Sequence, residues 1–279
     1  MKTNTERAFT LVELLVVVAL VALLGLTLVP ARAGARGRGQ AINCAANLGQ
    51  LVRAWQFYAA DNNGRLVMNF QGGYIPGVGS SDAPWATGWL DWSTSTENTN
   101  TVYLLNDRYA KLTKYMEAEA ARFQCPSDRF VSQVQRARGW VNRCRSYSMS
   151  ACVGGGNVQD GAWFPLYKQV TRMSEFAWPI PAETWVFAEE HPDSLNDPGL
   201  FSPYATRFVD VPASHHEGGG GFAFADGHYE LHRWRGTLAS NQVARIVSYA
   251  NLNNLSAPAG DPDLHWVSYH SSRSSTNSY

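Results

Sequence analysis

From Phe9 to Val29 the chain is an unbroken apolar run of about 21 residues, with Glu13 its only charged side chain; a run of that length is what a helix needs to cross the hydrocarbon core of a bilayer. At 1.5 Å rise per residue it would measure about 31 Å. A short polar leader carrying Lys2, Glu6 and Arg7 precedes it, and Pro30 with Gly34, Gly37 and Gly39 follows. The remainder is soluble in character. The pattern predicts one membrane-held helix followed by a globular head.

The bulk numbers limit what that head can be. The chain has 279 residues. Setting the first 30 or so aside leaves enough for one large or two small core-bearing units. Lys+Arg 23 balances Asp+Glu 23, so net charge is zero and no basic face for nucleic acid is indicated. Charged residues make up only 16%, while Gly, Ser, Asn, Trp and Tyr are plentiful, which suits a loop-rich β head outside the cytoplasm. The cysteines are Cys44, Cys125, Cys144 and Cys152. None forms a C-x-x-C pair, so the spacing signals neither a zinc site nor a thioredoxin-like one. An extracytoplasmic head permits disulfides. The pairs expected are Cys44 with Cys125 and Cys144 with Cys152, with buried free thiols as the alternative.

Three readings compete for the N-terminal stretch. Ala31-Arg32-Ala33 has the form of a secretory cleavage site, but the apolar run is much longer than a secretory signal's. A plain anchor leaves Glu13 unexplained, because an acidic group inside a membrane helix costs about 2–3 kcal/mol or more and calls for a partner. The third reading supplies one. Ala8 followed by Phe9-Thr10-Leu11-Val12-Glu13 resembles the class III signal of type IV pilins and type II secretion pseudopilins. The resemblance implies cleavage between Ala8 and Phe9 by a prepilin peptidase, then N-methylation of Phe9. It also implies that the Phe9 amine of one subunit pairs with Glu13 of a neighbour. Opposite charges in low dielectric relieve each other's burial cost, and the pairing would set the stagger between parallel helices. The one departure is Ala8, where Gly is usual. The flanking charges do not fix membrane orientation: Lys2 and Arg7 stand at one end, Arg32, Arg36 and Arg38 at the other.

Pro30 and the glycines after it weaken a helix, so a bend or soft joint is expected there. Helical spacing resumes at Ala41: Ile42, Ala45, Leu48, Leu51/Val52, Trp55 and Tyr58/Ala59 form one apolar stripe, on which the head should pack. Asp61-Asn62-Asn63-Gly64 supplies a stop with a glycine end. Residues 64 to 100 read as loops around Trp85, Trp89 and Trp92, and residues 101 to 122 as a helix. Ser146 to Val153 and Thr184 to Glu189 read as strands. Gly154-Gly155-Gly156 has no nucleotide-loop spacing after it. Residues 271 to 279 have the composition of a disordered tail.

Asp226-Gly227 between Phe222–Ala225 and His228–Leu231 is a strong short hairpin signal. A two-residue loop would pair Phe224 with Tyr229 and put Phe222, Phe224, Tyr229 and Leu231 on one core face. His216, nine residues, then Asp226-Gly227 also resembles the C-terminal signature of a pilin-like subfamily that carries the class III signal at its other end. Further matches to that subfamily are Cys44-x-x-Asn47-Leu48-x-Gln50-Leu51, Tyr58-Ala59-x-Asp61-Asn62-x-Gly64, Cys125-Pro126-Ser127-Asp128 and Ser146-Tyr147-Ser148. His215, His216, His228 and Asp226 have the chemistry of metal ligands or a general base pair; the plainer role is that His216 braces the hairpin. No nucleophile motif accompanies them. Glu189, Glu190, Asp193, Asn196 and Asp197 are dense in hard oxygen ligands, which suits Ca2+, although the spacing is not that of an EF-hand. A solvated acidic loop is the alternative.

The expectation is therefore an α+β, pilin-like protein: a long N-terminal helix, half membrane and half amphipathic, packed on an antiparallel β-sheet head with long loops. Its parts are a leader (1–8), a transmembrane and filament-core helix (9–30), its amphipathic continuation (31–64), a β-rich head (65–270) and the tail (271–279). The implied function is structural, with no catalytic residues: a filament subunit held in the inner membrane, N-terminus cytoplasmic and head periplasmic. Its partners would be prepilin peptidase, other pilin or pseudopilin subunits and an inner-membrane assembly platform. The competing readings are a membrane-anchored binding head, glycan-binding through the tryptophan loops, and a metal-dependent hydrolase built on His216 and Asp226.

Overall fold

The computed structural model describes residues 9–69, 83–116, 119–155, 167–177, 180–201, 206–242 and 244–272, without the side chains of residues 24–36. The leader, Ala8 and most of the expected tail lie outside the described residues. The chain divides into two compact units, residues 1–39 and 40–279.

Helix α1 spans Leu11–Asp61, so Pro30 does not end it. In the first unit every large apolar side chain described is exposed, from Phe9 (74%) and Leu11 (76%) to Leu23 (60%). Among the described residues no helix is long and apolar enough to cross a membrane; the described side chains of the run stop at Leu23, short of Val29.

In the second unit α1 is a packing helix. Cys44, Leu48, Leu51, Val52, Trp55 and Ala59 are buried along one face, at the three- and four-residue steps of an amphipathic helix. Cys44 takes the place expected for Ile42, which is 68% exposed. Burying side chains of this size contributes about 1.5–3 kcal/mol each, so this face alone anchors the helix to the head. The helix closes where expected: Gly64 N–H bonds back to Ala59 C=O at 2.8 Å. The left-handed residue of that closure is Asn63 (φ 55°), a role Asn fills next to Gly.

Residues 101–122 do not form the expected helix. They break into α2 (Val102–Leu105) and two single 3-10 turns, Thr113–Tyr115 and Ala120–Phe123. Asn106 is one cause: its side chain accepts from Arg108 N–H at 3.0 Å and turns the chain out of the helix. Helix α3 (Gln133–Ala137) follows, opened by a capping box between Ser132 and Gln135.

The strands are β1 (Tyr147–Ser150), β2 (Trp185–Glu189), β3 (Gly199–Leu200), β4 (Arg207–Phe208), β5 (Gly219–Phe224), β6 (Tyr229–Arg233) and β7 (Leu255–Ser256). Helices α4 (Thr237–Ser240) and α5 (Pro262–Tyr269) complete the unit. The main sheet has the order β3-β1-β2-β5-β6, with β4 and β7 paired apart from it. It is antiparallel except for β1 and β3, which pair in parallel with Met149 opposite Gly199. The head sheet is thus mixed rather than wholly antiparallel.

Both faces of the central strands are covered. Toward α1 lie Val186, Phe187, Ala223 and Ala225; on the other face Trp185, Ala188, Phe222 and Phe224 pack with Trp234, Leu264 and Val267. The β2–β5 ladder slips between Trp185 and Phe187, which lets Val186 and Phe187 serve the same face. Beyond the slip, alternation puts Ala188 on the far face and Glu189 on the α1 face. That placement decides where Glu189 points.

The hairpin is displaced by one residue from the expected register. Phe222 stands opposite Glu230 and Ala223 opposite Tyr229, and Phe224 N–H bonds His228 C=O at 2.9 Å. The loop has three residues, Ala225-Asp226-Gly227, with Gly227 at φ 100° and its N–H on Phe224 C=O at 2.9 Å. This is the type I turn plus left-handed residue of a three-residue hairpin. A one-residue slip exchanges faces. Tyr229 therefore joins Ala223 on the α1 side, while Phe222 and Phe224 face the C-terminal helix.

Candidate functional site

The N-terminal turn is built by the motif residues themselves. Thr10 precedes the helix, and its N–H and hydroxyl both donate to Glu13 Oε2, at 2.9 and 2.8 Å. Glu13 N–H returns a bond to Thr10 Oγ1 at 3.3 Å. This reciprocal arrangement is a capping box. Glu13 thus has a partner within its own turn, besides the neighbouring subunit's amine that the class III resemblance implies. Phe9 is exposed at the start of this turn.

The head contains a second site, assembled from four distant segments. Cys44 comes from the buried face of α1. Cys125 stands at the head of a turn closed by Asp128 N–H on Cys125 C=O at 2.9 Å. Glu189 ends β2 on the α1 face. His216 opens a tight reversal into β5: Glu217 (φ 53°) and Gly218 (φ 80°) are both left-handed, and His216 and Gly219 exchange bonds of 3.2 and 3.0 Å. All four side chains are buried, with exposures of 0% for Cys44, 1% for Cys125, 0% for Glu189 and 3% for His216. One ligand atom from each lies within 4.8 Å of every other.

The contacts are close. Cys44 Sγ donates to Glu189 Oε1 at 2.6 Å. His216 Nε2 stands 2.9 Å from the same oxygen and 3.4 Å from Cys125 Sγ. Gly221 N–H holds Glu189 Oε2 at 2.7 Å. Burial opposes charge on Glu189, but the hydrogen bond and charge of His216 outweigh it and hold the carboxyl down at about 2. Burial likewise opposes charge on His216, and its bonds to Cys125 and Glu189 push it up to about 10. Burial raises the Cys44 thiol well above the usual range, with Cys125 and Glu189 adding to it. Two sulfurs, one imidazole and one carboxylate have the donor chemistry of a borderline-soft divalent metal. They also form a closed hydrogen-bonded acid–base set.

The other expected sites are not gathered in this way. The five calcium candidates are parted by the sheet: Glu189 faces α1, and the next residue turns the other way. Glu190 accepts from the Ser148 and Ser194 hydroxyls, Asp193 from Ser248 N–H and hydroxyl at 2.7 and 2.9 Å, Asn196 from Asp197 N–H at 2.5 Å, and Asp197 from Gly199 N–H at 2.8 Å. Each oxygen so bound braces a loop. Asp226 is at the hairpin tip, paired with His228 Nδ1 at 2.6 Å with both side chains partly exposed, and is not among the ligands that surround His216. His215 stacks on Phe130. Of the loop tryptophans, Trp85 is in the core with its indole on Pro198 C=O at 3.1 Å, and Trp92 covers the Arg143 guanidinium at 3.9 Å. Trp89 is exposed.

All four cysteines are free, buried thiols rather than the expected bridges. Cys44 and Cys125 do meet, in the four-residue site. Cys144 instead donates to Glu97 C=O at 3.5 Å, and Cys152 stands by Ser271 and Ser272. Cys44 and Cys125 were expected together as a disulfide, Glu189 in a calcium loop and His216 in the hairpin signature; the convergence of all four on one point was not expected. No spacing rule would have joined them.

Residues 3–29 match a family model described as the prokaryotic N-terminal methylation motif. The match supports a prepilin-type protein, and such a motif implies processing by a prepilin peptidase and assembly with other pilin subunits. It covers the N-terminal segment only. No curated protein and no solved structure matches the chain.

Proposed function

We propose that the chain is a prepilin-type structural subunit of a type IV pilin-like or type II secretion pseudopilus filament. It is cleaved between Ala8 and Phe9, N-methylated at Phe9, and stored in the inner membrane with its head outside the cytoplasm. The observation that carries this reading is the N-terminal methylation motif over residues 3–29, with its Phe9-Thr10-Leu11-Val12-Glu13 core. The exposed apolar side chains from Phe9 to Leu23 favour it: a helix that shows apolar atoms on every side calls for lipid or for copies of itself. The role is structural rather than enzymatic, and the His216 and Asp226-Gly227 signature belongs to the architecture of the head. An inner-membrane assembly platform would be the partner that draws the subunit from the bilayer.

Intact mass and N-terminal sequencing of the membrane-extracted protein test this. A methylated Phe9 start is expected. A start at Gly34, after a secretory cleavage, would leave a secreted head and sink the proposal.

A further inference from the structure

We infer that Cys44, Cys125, Glu189 and His216 are the ligands of a structural, tetrahedral divalent metal site of the zinc type, fastening the head sheet to the second half of α1. The inference concerns the head alone and does not depend on how the N-terminus is processed.

The donor set selects the class of ion. Two thiols and an imidazole suit zinc and its close neighbours, whereas calcium and magnesium take oxygen ligands. Four protein donors close a site, as structural zinc requires; a catalytic zinc keeps one position open. The absence of a C-x-x-C pair speaks only against zinc ribbons and fingers. Here the ligands come singly from a helix, a turn, a strand and a tight reversal.

The spacing fits. Zinc bond lengths of about 2.0–2.3 Å place neighbouring ligand atoms about 3.3–3.8 Å apart in a tetrahedron. Cys125 Sγ and His216 Nε2, at 3.4 Å, already lie in that range. The two closer pairs share a proton: Cys44 with Glu189 at 2.6 Å and His216 with Glu189 at 2.9 Å. A metal ion takes the place of those protons and spreads the atoms by less than about 1 Å. Binding releases the two thiol protons and the imidazolium proton. Two thiolates, one carboxylate and one neutral imidazole then leave the site one negative charge after the ion's two positive ones.

The groups behind the ligands are arranged to accept that charge. Gly221 N–H engages Glu189 Oε2 and leaves Oε1 as a one-oxygen ligand. Ser127 N–H points at Cys125 Sγ from 3.4 Å, and Tyr147 Oη, which bonds Gln124 C=O at 3.0 Å, also lies 3.4 Å from Cys44 Sγ. Such outer donors orient ligands and stabilise thiolate. Tyr229 adds an independent sign. Its hydroxyl is buried and has no hydrogen-bond partner among the described residues, although Cys44, Glu189 and Cys125 stand around it. A metal-bound thiolate is an acceptor that a hydroxyl in this position lacks. A cleft of about 410 Å3 lined by Gln124, Cys125, Pro126 and Asp128 among others borders the site on the Cys125 side.

The test uses the full-length protein in detergent, purified without chelator and titrated with Zn2+ and, separately, Co2+. One equivalent of metal is expected. The cobalt form should show a thiolate-to-metal charge-transfer band and the intense visible bands of tetrahedral coordination. Cys44→Ser and Cys125→Ser should each weaken binding by more than the 10–100-fold typical of a lost outer-shell group. Cys144→Ser, which changes a thiol outside the site, should leave the spectrum unchanged. The wild-type cobalt spectrum decides the matter even where a ligand variant fails to fold. Folded wild-type protein that takes up neither metal, or that carries a Cys44–Cys125 disulfide by intact mass, would overturn the inference.

Discussion

Cys44 Sγ donates a hydrogen bond to Glu189 Oε1 at 2.6 Å, although 145 positions separate the two residues along the chain. The contact joins the buried face of α1 to the end of the central strand β2. The same oxygen meets His216 Nε2 at 2.9 Å, so a single carboxylate at the end of β2 ties the helix to the reversal that enters β5. Glu189→Ala leaves a buried imidazolium without its counter-charge and Gly221 N–H without an acceptor. A loss of about 3–5 kcal/mol is expected, the range for breaking a buried pair on one side. Urea unfolding of the detergent-extracted protein measures it. A loss below about 1 kcal/mol, the scale of an exposed pair, would mean the carboxylate is not the tie described.

Gly227 fixes the hairpin register. Its φ of 100° lies where a side chain is strained, and an added Cβ would meet Gln56 Nε2 at 3.4 Å. Gln56 is the residue by which α1 reaches the loop, through a 3.0 Å bond to Ala225 C=O. Gly227→Ala should therefore cost about 1–2 kcal/mol from backbone strain alone. Hydrogen exchange should speed up at Phe224 N–H, which bonds across the turn. Unchanged exchange there, with unchanged stability, would show that the turn does not need the left-handed residue.

The parts of this architecture that could be read in the sequence are the local ones. The apolar run, the stripe from Leu48 to Ala59, the stop at Asn63-Gly64 and the Asp226-Gly227 turn each rest on residues a few positions apart. So do the strands near Tyr147–Ser150 and Trp185–Glu189. The hairpin register failed by one residue because Asp-Gly serves both two- and three-residue loops, and only the burial of Tyr229 beside Ala223 chooses between them. The expected helix over 101–122 failed because apolar spacing outweighed the turn chemistry of Asn106. The four-residue site was illegible for a different reason. Its members are singletons on four segments, and what brings Glu189 to Cys44 is the slip in the β2–β5 ladder. That slip depends on tertiary packing and leaves no mark in the spacing of β2.

Glu190, next to Glu189 but on the other side of the sheet, gives the head a pH dependence. Burial pushes its carboxyl up to about 8, against the opposing effects of the Ser148 hydroxyl, the Arg145 charge and the Ser194 hydroxyl. An unfolded Glu titrates near its ordinary value of 4.5. Between those two values the folded chain holds a proton that the unfolded chain has released, so stability falls as pH rises through this window. Glu190→Gln removes that proton exchange while keeping an acceptor and a donor for the two serines. The melting temperature of the wild type should drop from pH 5 to pH 8, and that of Glu190→Gln should drop less. A residual slope is expected because Asp210 is raised as well, by burial and by Glu190. Parallel curves for the two proteins would show that Glu190 is charged in the fold.

Glu13 has two roles to separate, and one pair of substitutions does so. Its carboxylate caps its own helix through Thr10 N–H and hydroxyl. The processed-subunit reading asks the same group to carry a negative charge toward a neighbour's Phe9 amine. Glu13→Ala removes both: the helix start loses its half of the capping box, and assembly has no counter-charge. Glu13→Gln keeps an oxygen for Thr10, since Gln serves at that place in a capping box, but it has no charge. If pairing between subunits drives assembly, both variants should insert in the membrane and neither should enter filaments recovered by shearing. If the cap alone matters, Glu13→Gln should assemble like the wild type while Glu13→Ala does not. That second outcome would remove the inter-subunit role from Glu13 and leave the motif's acidic residue as a helix-starting device.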